Sequence, residues 1–215
     1  MVKVTKMAEE RVFFNSGKLK IEGLLNHLQG DHGVVVSHPH PLYGGDMQNN
    51  VVGVVVNAYF EKGYSTLRFN FRGVGASEGT HDHGVGEQDD VRAAIEFLSN
   101  LGIKHVDLAG YSFGAWVNAM GLTNYVQVDQ VIMVSPPVGF LDFETLKSNE
   151  KIKLVVLGSR DDIAQAELVK KAMPQWNPEA SLKIIEGADH FYISKTGELK
   201  AIIGEFLNNE LLLTG

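Results

Sequence analysis

Short apolar runs alternate with longer helical segments along most of this chain, and the pattern limits the folds that it can adopt. A strand reaches a parallel neighbour through a long crossover, usually a helix. The alternation therefore predicts an α/β fold, with a mostly parallel twisted sheet and helices on both of its faces. The predicted strands are 32–38, 64–71, 104–109, 128–135, 151–158 and 181–187, and the predicted helices are 48–63, 87–102, 115–123, 163–173 and 193–213.

Two parts of this assignment need a further argument. Segment 48–63 is rich in valine, which favours a strand, but its length and its closing Gly63 favour a helix. Its place between two buried strands decides for the helix. Near the start of the chain, 11–16 and 19–27 flank Gly17-Lys18 and predict an N-terminal antiparallel hairpin at one edge of the sheet.

A serine stands between two glycines at one predicted strand-to-helix junction, in Gly110-Tyr111-Ser112-Phe113-Gly114. A strand that turns abruptly into a helix strains its central residue and exposes that side chain above the sheet. The glycines avoid collisions across so tight a turn, and the helix start aims free backbone N–H groups at any negative charge formed there. The pattern fits a nucleophilic serine, and it also fits a serine that caps a helix after a glycine turn.

A nucleophilic serine needs a base, and the base needs an orienting acid. The order that accompanies this serine motif is serine, then acid, then histidine. His190 is the only histidine after Ser112, and it follows the predicted strand that ends near Gly187. If the chain has such a triad, its base is therefore His190.

Two adjacent carboxyl groups compete for the role of the acid. Asp161 and Asp162 follow the strand that ends at Gly158, and adjacent side chains point in different directions. We assign Asp161 to the triad, with Asp162 as the alternative. Asp162 is better suited to cap the helix expected to begin near Ile163, because an acid is favoured at a helix start. Asp189 is expected to form the turn before the histidine.

Composition narrows the classes of function. The 215 residues fit a single domain, 1–215, and 44% hydrophobic with 21% charged residues is ordinary for a globular protein. Zero cysteines exclude a disulfide framework and a cysteine nucleophile. The net charge of −7 argues against a nucleic-acid partner. Residues 1–11 hold no apolar signal-peptide core and no segment resembles a membrane span, so we expect a cytoplasmic protein with no membrane partner.

Two further segments, together with the serine motif, carry a resemblance to a known family. Residues 37–50 read SHPHPLYGGDMQNN, and residues 68–79 read RFNFRGVGASEG. Over essentially its full length the chain resembles the α/β-hydrolase superfamily, and more narrowly its small lidless bacterial serine hydrolases, carboxylesterase-like, with a His-Pro-His-Pro loop. The resemblance implies the α/β-hydrolase fold without a cap domain, esterase-type activity, and a catalytic triad of Ser112, Asp161 and His190.

The resemblance also implies an oxyanion hole built from two backbone N–H groups. Phe113, the residue after the nucleophile, supplies one of them. The His-Pro loop supplies the other, but its prolines have no N–H. Alignment with the family's usual loop pattern assigns this role to the His40 amide, with Leu42 and Tyr43 as alternatives.

Two other patterns favour no further chemistry. Gly73, Gly75 and Gly79 miss the G-x-G-x-x-G spacing because Glu78 occupies the last position, so no phosphate-binding loop is predicted. Histidine pairs with H-x-H spacing occur at 38/40 and 81/83, but no matching carboxylate pattern accompanies them. We therefore expect neither a metal nor a cofactor.

The chain leaves little room for a lid. Only residues 135–150 separate two predicted strands at the point where related enzymes insert one. We expect an open site, a small-molecule acyl substrate such as a soluble ester, and no interfacial activation. Phe140, Leu141 and Phe143 could line an acyl pocket, but packing over the core is their expected role.

A thioesterase or peptidase would use the same triad, and a catalytically idle binding protein on this fold is a further alternative. The sequence does not fix an oligomeric state.

Overall fold

The computed structural model describes residues 8–214, and its strands form one eight-stranded sheet. The strands are β1 Glu10–Ser16, β2 Leu19–Asn26, β3 His32–Ser37, β4 Ser65–Phe69, β5 His105–Tyr111, β6 Val128–Val134, β7 Ile152–Gly158 and β8 Ser181–Ile185. The α-helices are α1 Asn50–Phe60, α2 Val85–Asn100, α3 Phe113–Gly121, α4 Ala166–Trp176 and α5 Thr196–Thr214. Short 3-10 helices span Pro41–Tyr43 and Leu122–Asn124.

The sheet has the order β1-β2-β4-β3-β5-β6-β7-β8. The antiparallel hairpin β1–β2 lies at one edge, and β2 also runs antiparallel to β4. Every other neighbouring pair is parallel. The predicted fold class, with its N-terminal hairpin, is therefore confirmed.

Helices cover both faces because successive strand side chains point in opposite directions. In β3, Val35 packs with α2, α3 and α4 on one face, whereas Val34 and Val36 pack with α1 and α5 on the other. The buried residues of α1 recur at helical spacing, which confirms the helix assigned to this valine-rich segment. They include Val51, Val52, Val55, Val56 and Tyr59.

The helix after β7 begins later than the sequence suggests. α4 starts at Ala166, and no side chain caps it. The expectation that Asp162 caps a helix beginning near Ile163 is therefore wrong. Oδ1 of Asp161 accepts the first N–H groups of this segment, from Ile163 at 3.0 Å and Ala164 at 2.6 Å. These bonds hold a turn where a first helical turn was expected.

The carboxyl ends of the parallel strands meet at one edge of the sheet, which collects the predicted site residues. Ser112 directly follows β5, Asp161 follows β7 and His190 follows β8. The β6–β7 connection contains no helix, and within residues 8–214 no cap domain covers this edge. Within residues 8–214, no helix has the length and apolarity needed to cross a membrane. Residues 1–7, which belong to the segment judged to lack a signal-peptide core, lie outside the described residues.

Candidate active site

Ser112 lies at the sharp turn between β5 and α3. Its φ of 54° and ψ of −118° form a conformation that a residue with a side chain adopts only under strain. A Cβ on Gly110 would lie 2.5 Å from the Ala115 nitrogen, across the turn. A Cβ on Gly114 would instead lie 2.5 Å from the Ser37 carbonyl oxygen, at the end of β3. Gly114 therefore allows β3 to approach closely, whereas Gly110 avoids a clash within the turn itself.

The Ser112 hydroxyl, the His190 ring and the Asp161 carboxylate form one hydrogen-bonded row. Nε2 of His190 lies 3.0 Å from Oγ of Ser112. Nδ1 of His190 lies 2.9 Å from Oδ2 and 3.0 Å from Oδ1 of Asp161. Because a carboxylate only accepts, we assign the ring proton to Nδ1, which leaves Nε2 able to accept from the serine. All three residues are less than a tenth exposed, so bulk water is largely excluded from the row.

The Asp161 carboxylate is held in its charged form. Burial acts to raise its pKa, but hydrogen bonds from His190 and Ala164, together with the attraction of the His190 ring, hold the pKa of Asp161 below its usual value. A charged Asp161 can orient the ring and stabilise the positive form that the ring takes when it accepts a proton.

Two buried tyrosines fix the turn that carries His190. The Tyr111 hydroxyl donates to the His190 carbonyl oxygen at 2.8 Å, and the Tyr192 hydroxyl lies 2.8 Å from Oγ of Ser135. Asp189 accepts a backbone N–H four residues further along the chain, which confirms its role as a turn former. Sequence reasoning missed both tyrosines, because their partners lie 79 and 57 residues away.

His38 is fully buried and pins the His-Pro loop. Its Nδ1 lies 2.6 Å from the Pro39 carbonyl oxygen, and its Nε2 accepts the Phe71 N–H at 3.0 Å. Nδ1 therefore carries the proton of a neutral ring. Burial lowers the pKa of His38 from 6.5 to about 4, so the ring stays neutral at physiological pH. It ties the loop to the segment that follows β4.

The same loop packs on Phe113, the residue that follows Ser112. The rings of His40 and Phe113 have centroids 4.6 Å apart. Leu42 donates its N–H to Nδ1 of His40 at 3.2 Å, and Tyr43 donates its N–H to the His40 carbonyl oxygen at 3.1 Å. Both alternative donors are thus engaged inside the loop. The amides of His40 and Phe113 have no acceptor within residues 8–214, which leaves them able to bind a ligand oxygen.

The paired histidines contribute to packing and to loop structure. In the part of the chain that the structure describes, no group of three or more His, Cys, Asp or Glu side chains is arranged to hold a metal ion. Nδ1 of His81 lies 2.7 Å from Oε1 of Glu87, and the His81 ring is 5.1 Å from the His40 ring. The His83 ring contacts the His81 ring at 5.0 Å.

The apolar residues of the β6–β7 connection divide between core and solvent. Phe143 is buried and packs on Trp176 with centroids 5.0 Å apart, and Leu141 packs against the same core. Phe140 is 71% exposed, so the expectation that it packs over the core is wrong. It lies in the turn after Pro136-Pro137, where its backbone N–H donates to the Pro137 carbonyl oxygen at 2.9 Å.

Comparisons with known proteins cover nearly the whole chain. A family model described as "Alpha/beta hydrolase family" matches residues 32–151. An uncharacterized protein of Rickettsia prowazekii is 34% identical over 209 residues, which span 92% of this chain and 88% of that protein. An alpha-beta serine hydrolase homologue from Coxiella burnetii has a TM-score of 0.86 and 33% identity, covering 94% of this chain and 99% of the other. A serine hydrolase without a lid, from Xanthomonas campestris, has a TM-score of 0.85 and 28% identity over 95% of this chain and 96% of its own. The lidless relative agrees with the uncovered sheet edge described above.

Proposed function

This chain belongs to the alpha/beta hydrolase family, and from that premise we propose that it is a serine hydrolase that cleaves small acyl esters. One observation carries the proposal: the unbroken contact from Ser112 through His190 to Asp161, with distances of 3.0 and 2.9 Å. The two structural relatives described as serine hydrolases, or as homologues of them, support the same nucleophile. The amides of His40 and Phe113 have no acceptor within residues 8–214, and the rings of these two residues pack together, which supports an oxyanion hole beside the serine.

The first half of the proposed reaction forms an acyl-enzyme. His190 takes the proton of Ser112 while Oγ attacks the carbonyl carbon of the ester. The carbonyl oxygen becomes negatively charged and accepts hydrogen bonds from the His40 and Phe113 amides. Asp161 stabilises the protonated ring. His190 then gives its proton to the alcohol oxygen, the bond between carbonyl carbon and alcohol breaks, and the alcohol leaves.

The second half releases the acid by the same steps. Water takes the place of the alcohol, and His190 removes one of its protons as its oxygen attacks the acyl carbon. The same two amides stabilise the second oxyanion. When it collapses, Oγ of Ser112 leaves and recovers its proton from His190. The products are a carboxylic acid and the enzyme in its starting state.

We propose small acyl groups because the sheet edge around Ser112 is open. The short β6–β7 connection contributes no cap to cover a long chain. Large apolar side chains that are more than half exposed stand on the loops at this edge and offer a shallow apolar surface. They are Leu42, Tyr43, Phe140, Phe191 and Ile193.

A fluorophosphonate probe with peptide mapping tests this proposal directly. We expect one covalent label, located on Ser112, and hydrolysis of short-chain nitrophenyl esters. A folded protein that takes no label and hydrolyses no substrate would contradict the proposal and favour an idle binding protein on this fold. A parallel panel of esters, thioesters and peptides assigns the substrate class. Activity on thioesters or peptides alone would refute the ester assignment while leaving the serine mechanism intact.

A further inference from the structure

Two carboxylates near the start of α2 are buried and take no part in the proposed reaction. Glu87 and Asp90 lie one helical turn apart, and each is 0% exposed. A buried carboxylate is costly unless its oxygens are well bonded. The partners of these two residues therefore indicate what they do.

Asp90 holds the beginning of the loop between β4 and α2. Its Oδ1 accepts from Nη2 of Arg72 at 2.8 Å, and its Oδ2 accepts from Nε at 3.1 Å. Oδ2 also accepts the backbone N–H of Arg72 at 3.0 Å. The hydrogen bond to Asp90 raises the pKa of Arg72 above its ordinary value. This end of the loop is thus fixed by a charged, two-pronged contact.

Glu87 holds the other end of the same loop. Its Oε1 accepts the Asp82 N–H at 2.9 Å, and its Oε2 accepts the Gly84 N–H at 2.8 Å. Nδ1 of His81 approaches Oε1 to 2.7 Å, although the ring is turned away from hydrogen-bond direction. The two side chains are therefore in direct contact without a hydrogen bond between them. One carboxylate fixes the backbone on both sides of His83 and the ring of His81.

The His81 ring contacts the rings of both proposed oxyanion donors. Its centroid is 5.1 Å from the His40 ring and 5.6 Å from the Phe113 ring. The His40 and Phe113 rings are themselves 4.6 Å apart. The three rings thus form a closed cluster, and a shift of His81 would remove a packing contact from both His40 and Phe113.

We infer that Glu87 and His81 are positioning residues for the oxyanion hole, an inference that rests on the proposed function. Glu87 fixes the His81 ring, and that ring keeps His40 and Phe113 in the arrangement that aims their amides at one oxygen. Neither residue touches the reacting atoms. Loss of one oxyanion donor costs about 10²–10³-fold in turnover. Because a loosened donor is displaced and still present, we expect a smaller loss, about tenfold.

Three variants test the inference against a matched control. Glu87→Gln removes the charge, His81→Ala removes the ring, and the double variant removes both. The control is Asp107→Asn, which alters a buried carboxylate at the opposite end of β5, bonded to Gln130 at 2.8 Å. The measurements are kcat and KM for a short nitrophenyl ester, and the affinity of a trifluoromethyl ketone, whose adduct with the serine places an oxyanion in the hole.

We expect each single variant to lose about tenfold in kcat and a similar factor in ketone affinity, with KM changed by less than about twofold. The double variant should lose no more than His81→Ala, since Glu87 acts through the ring. Asp107→Asn should lower stability and leave kcat and ketone affinity unchanged.

The outcomes separate this inference from the proposed function. An active wild-type protein whose Glu87 and His81 variants match Asp107→Asn would overturn the inference and leave the serine hydrolase standing. A wild-type protein that neither hydrolyses esters nor binds the ketone would refute the function itself. His81→Ala alters only a loop side chain, so it decides the question even where Glu87→Gln does not fold.

Discussion

Asp161 serves two parts of the molecule with one carboxylate. Its two oxygens contact Nδ1 of His190, and Oδ1 also accepts the N–H groups of Ile163 and Ala164 in the turn before α4. The bonds that shape the turn also help to keep the carboxylate charged. The orientation of the His190 ring and the path of the chain after β7 are therefore coupled through a single side chain.

Replacement of Ser112 by alanine tests the nucleophile. We expect ester hydrolysis to fall by about 10⁶-fold, because the members of a triad act as a unit. The fold should survive, because the Ser112 hydroxyl contacts the His190 ring and the substitution removes that one polar contact. Measurement of kcat with circular dichroism checks both statements. Wild-type activity in Ser112→Ala would refute the assignment.

The buried neutral ring of His38 predicts a pH dependence of stability. Below pH 6.5 the unfolded chain protonates this histidine, whereas the folded protein does so only near its pKa of about 4. The unfolded state then binds more protons, so the free energy of unfolding falls as the pH falls through this window. Between pH 7 and pH 5 we expect this residue to contribute a loss of about 2 kcal/mol. Urea unfolding at the two pH values measures it.

A His38→Gln variant isolates this contribution from the other titrating groups. The variant should be less stable at pH 7, because it disturbs the contacts to Pro39 and Phe71. Its stability should fall by about 2 kcal/mol less than that of the wild type between pH 7 and pH 5. Equal losses in the two proteins would contradict a depressed pKa at this position.

At the scale of secondary-structure elements, the site depends on how closely β3 approaches α3. The end of β3 and the following His-Pro loop lie against the first turn of α3, where Gly114 faces the carbonyl groups of Ser37 and His38. His38 holds the loop toward β4, and His81 packs on it from the β4–α2 loop. The proposed oxyanion hole thus draws on elements that are separate in sequence.

Gly114→Ala tests this close approach. Its Cβ would lie 2.5 Å from the Ser37 carbonyl oxygen and 2.8 Å from that of His38, and these backbone atoms can separate only if the loop shifts. We expect a loss of about 1–3 kcal/mol in stability and of at least about tenfold in kcat. Gly53→Ala is the control: it lies within α1 with nothing within 4 Å of the new Cβ. It should stabilise the protein by about 0.5–1 kcal/mol and leave kcat unchanged. A fully active Gly114→Ala would show that the loop tolerates displacement.

At the scale of the whole molecule, the uncovered sheet edge predicts a preference for short acyl chains. In a series of nitrophenyl acetate, butyrate, octanoate and laurate, we expect kcat/KM to be highest for the shorter esters. The rate should not jump when the ester exceeds its solubility limit, because the β6–β7 connection forms no lid that would have to open. A preference for laurate, or a jump at that limit, would contradict an open site.

The sequence predicts the architecture and the row of three site residues because their signals are local. Apolar runs mark the strands, Gly110 and Gly114 mark the turn, and a lone downstream histidine leaves one candidate base. The edge of a parallel sheet then brings strand ends together whatever their distance along the chain. The fold is confirmed, and the catalytic roles of the three residues remain predictions.

The supporting residues could not be predicted in this way. Tyr111, His38 and Glu87 gain their roles from contacts across the fold, and no pattern around them identifies the partner. The start of α4 differs from the prediction for a related reason. Asp161 accepts an N–H group that a helix cap would accept, and the same carboxylate contacts His190, which follows β8. Long-range contacts of this kind appear only once the strands are assembled.

The order of the strands has a consequence for durability. The proposed nucleophile, Ser112, follows β5 in the middle of the sheet, whereas the proposed base, His190, follows β8, the outermost strand on that side. Local unfolding of β8 would move the His190 ring away from Ser112, while Ser112 kept its strained backbone conformation. The proposed active site is therefore only as stable as the edge strand β8. On heating, the protein can lose activity while most of its core is still folded.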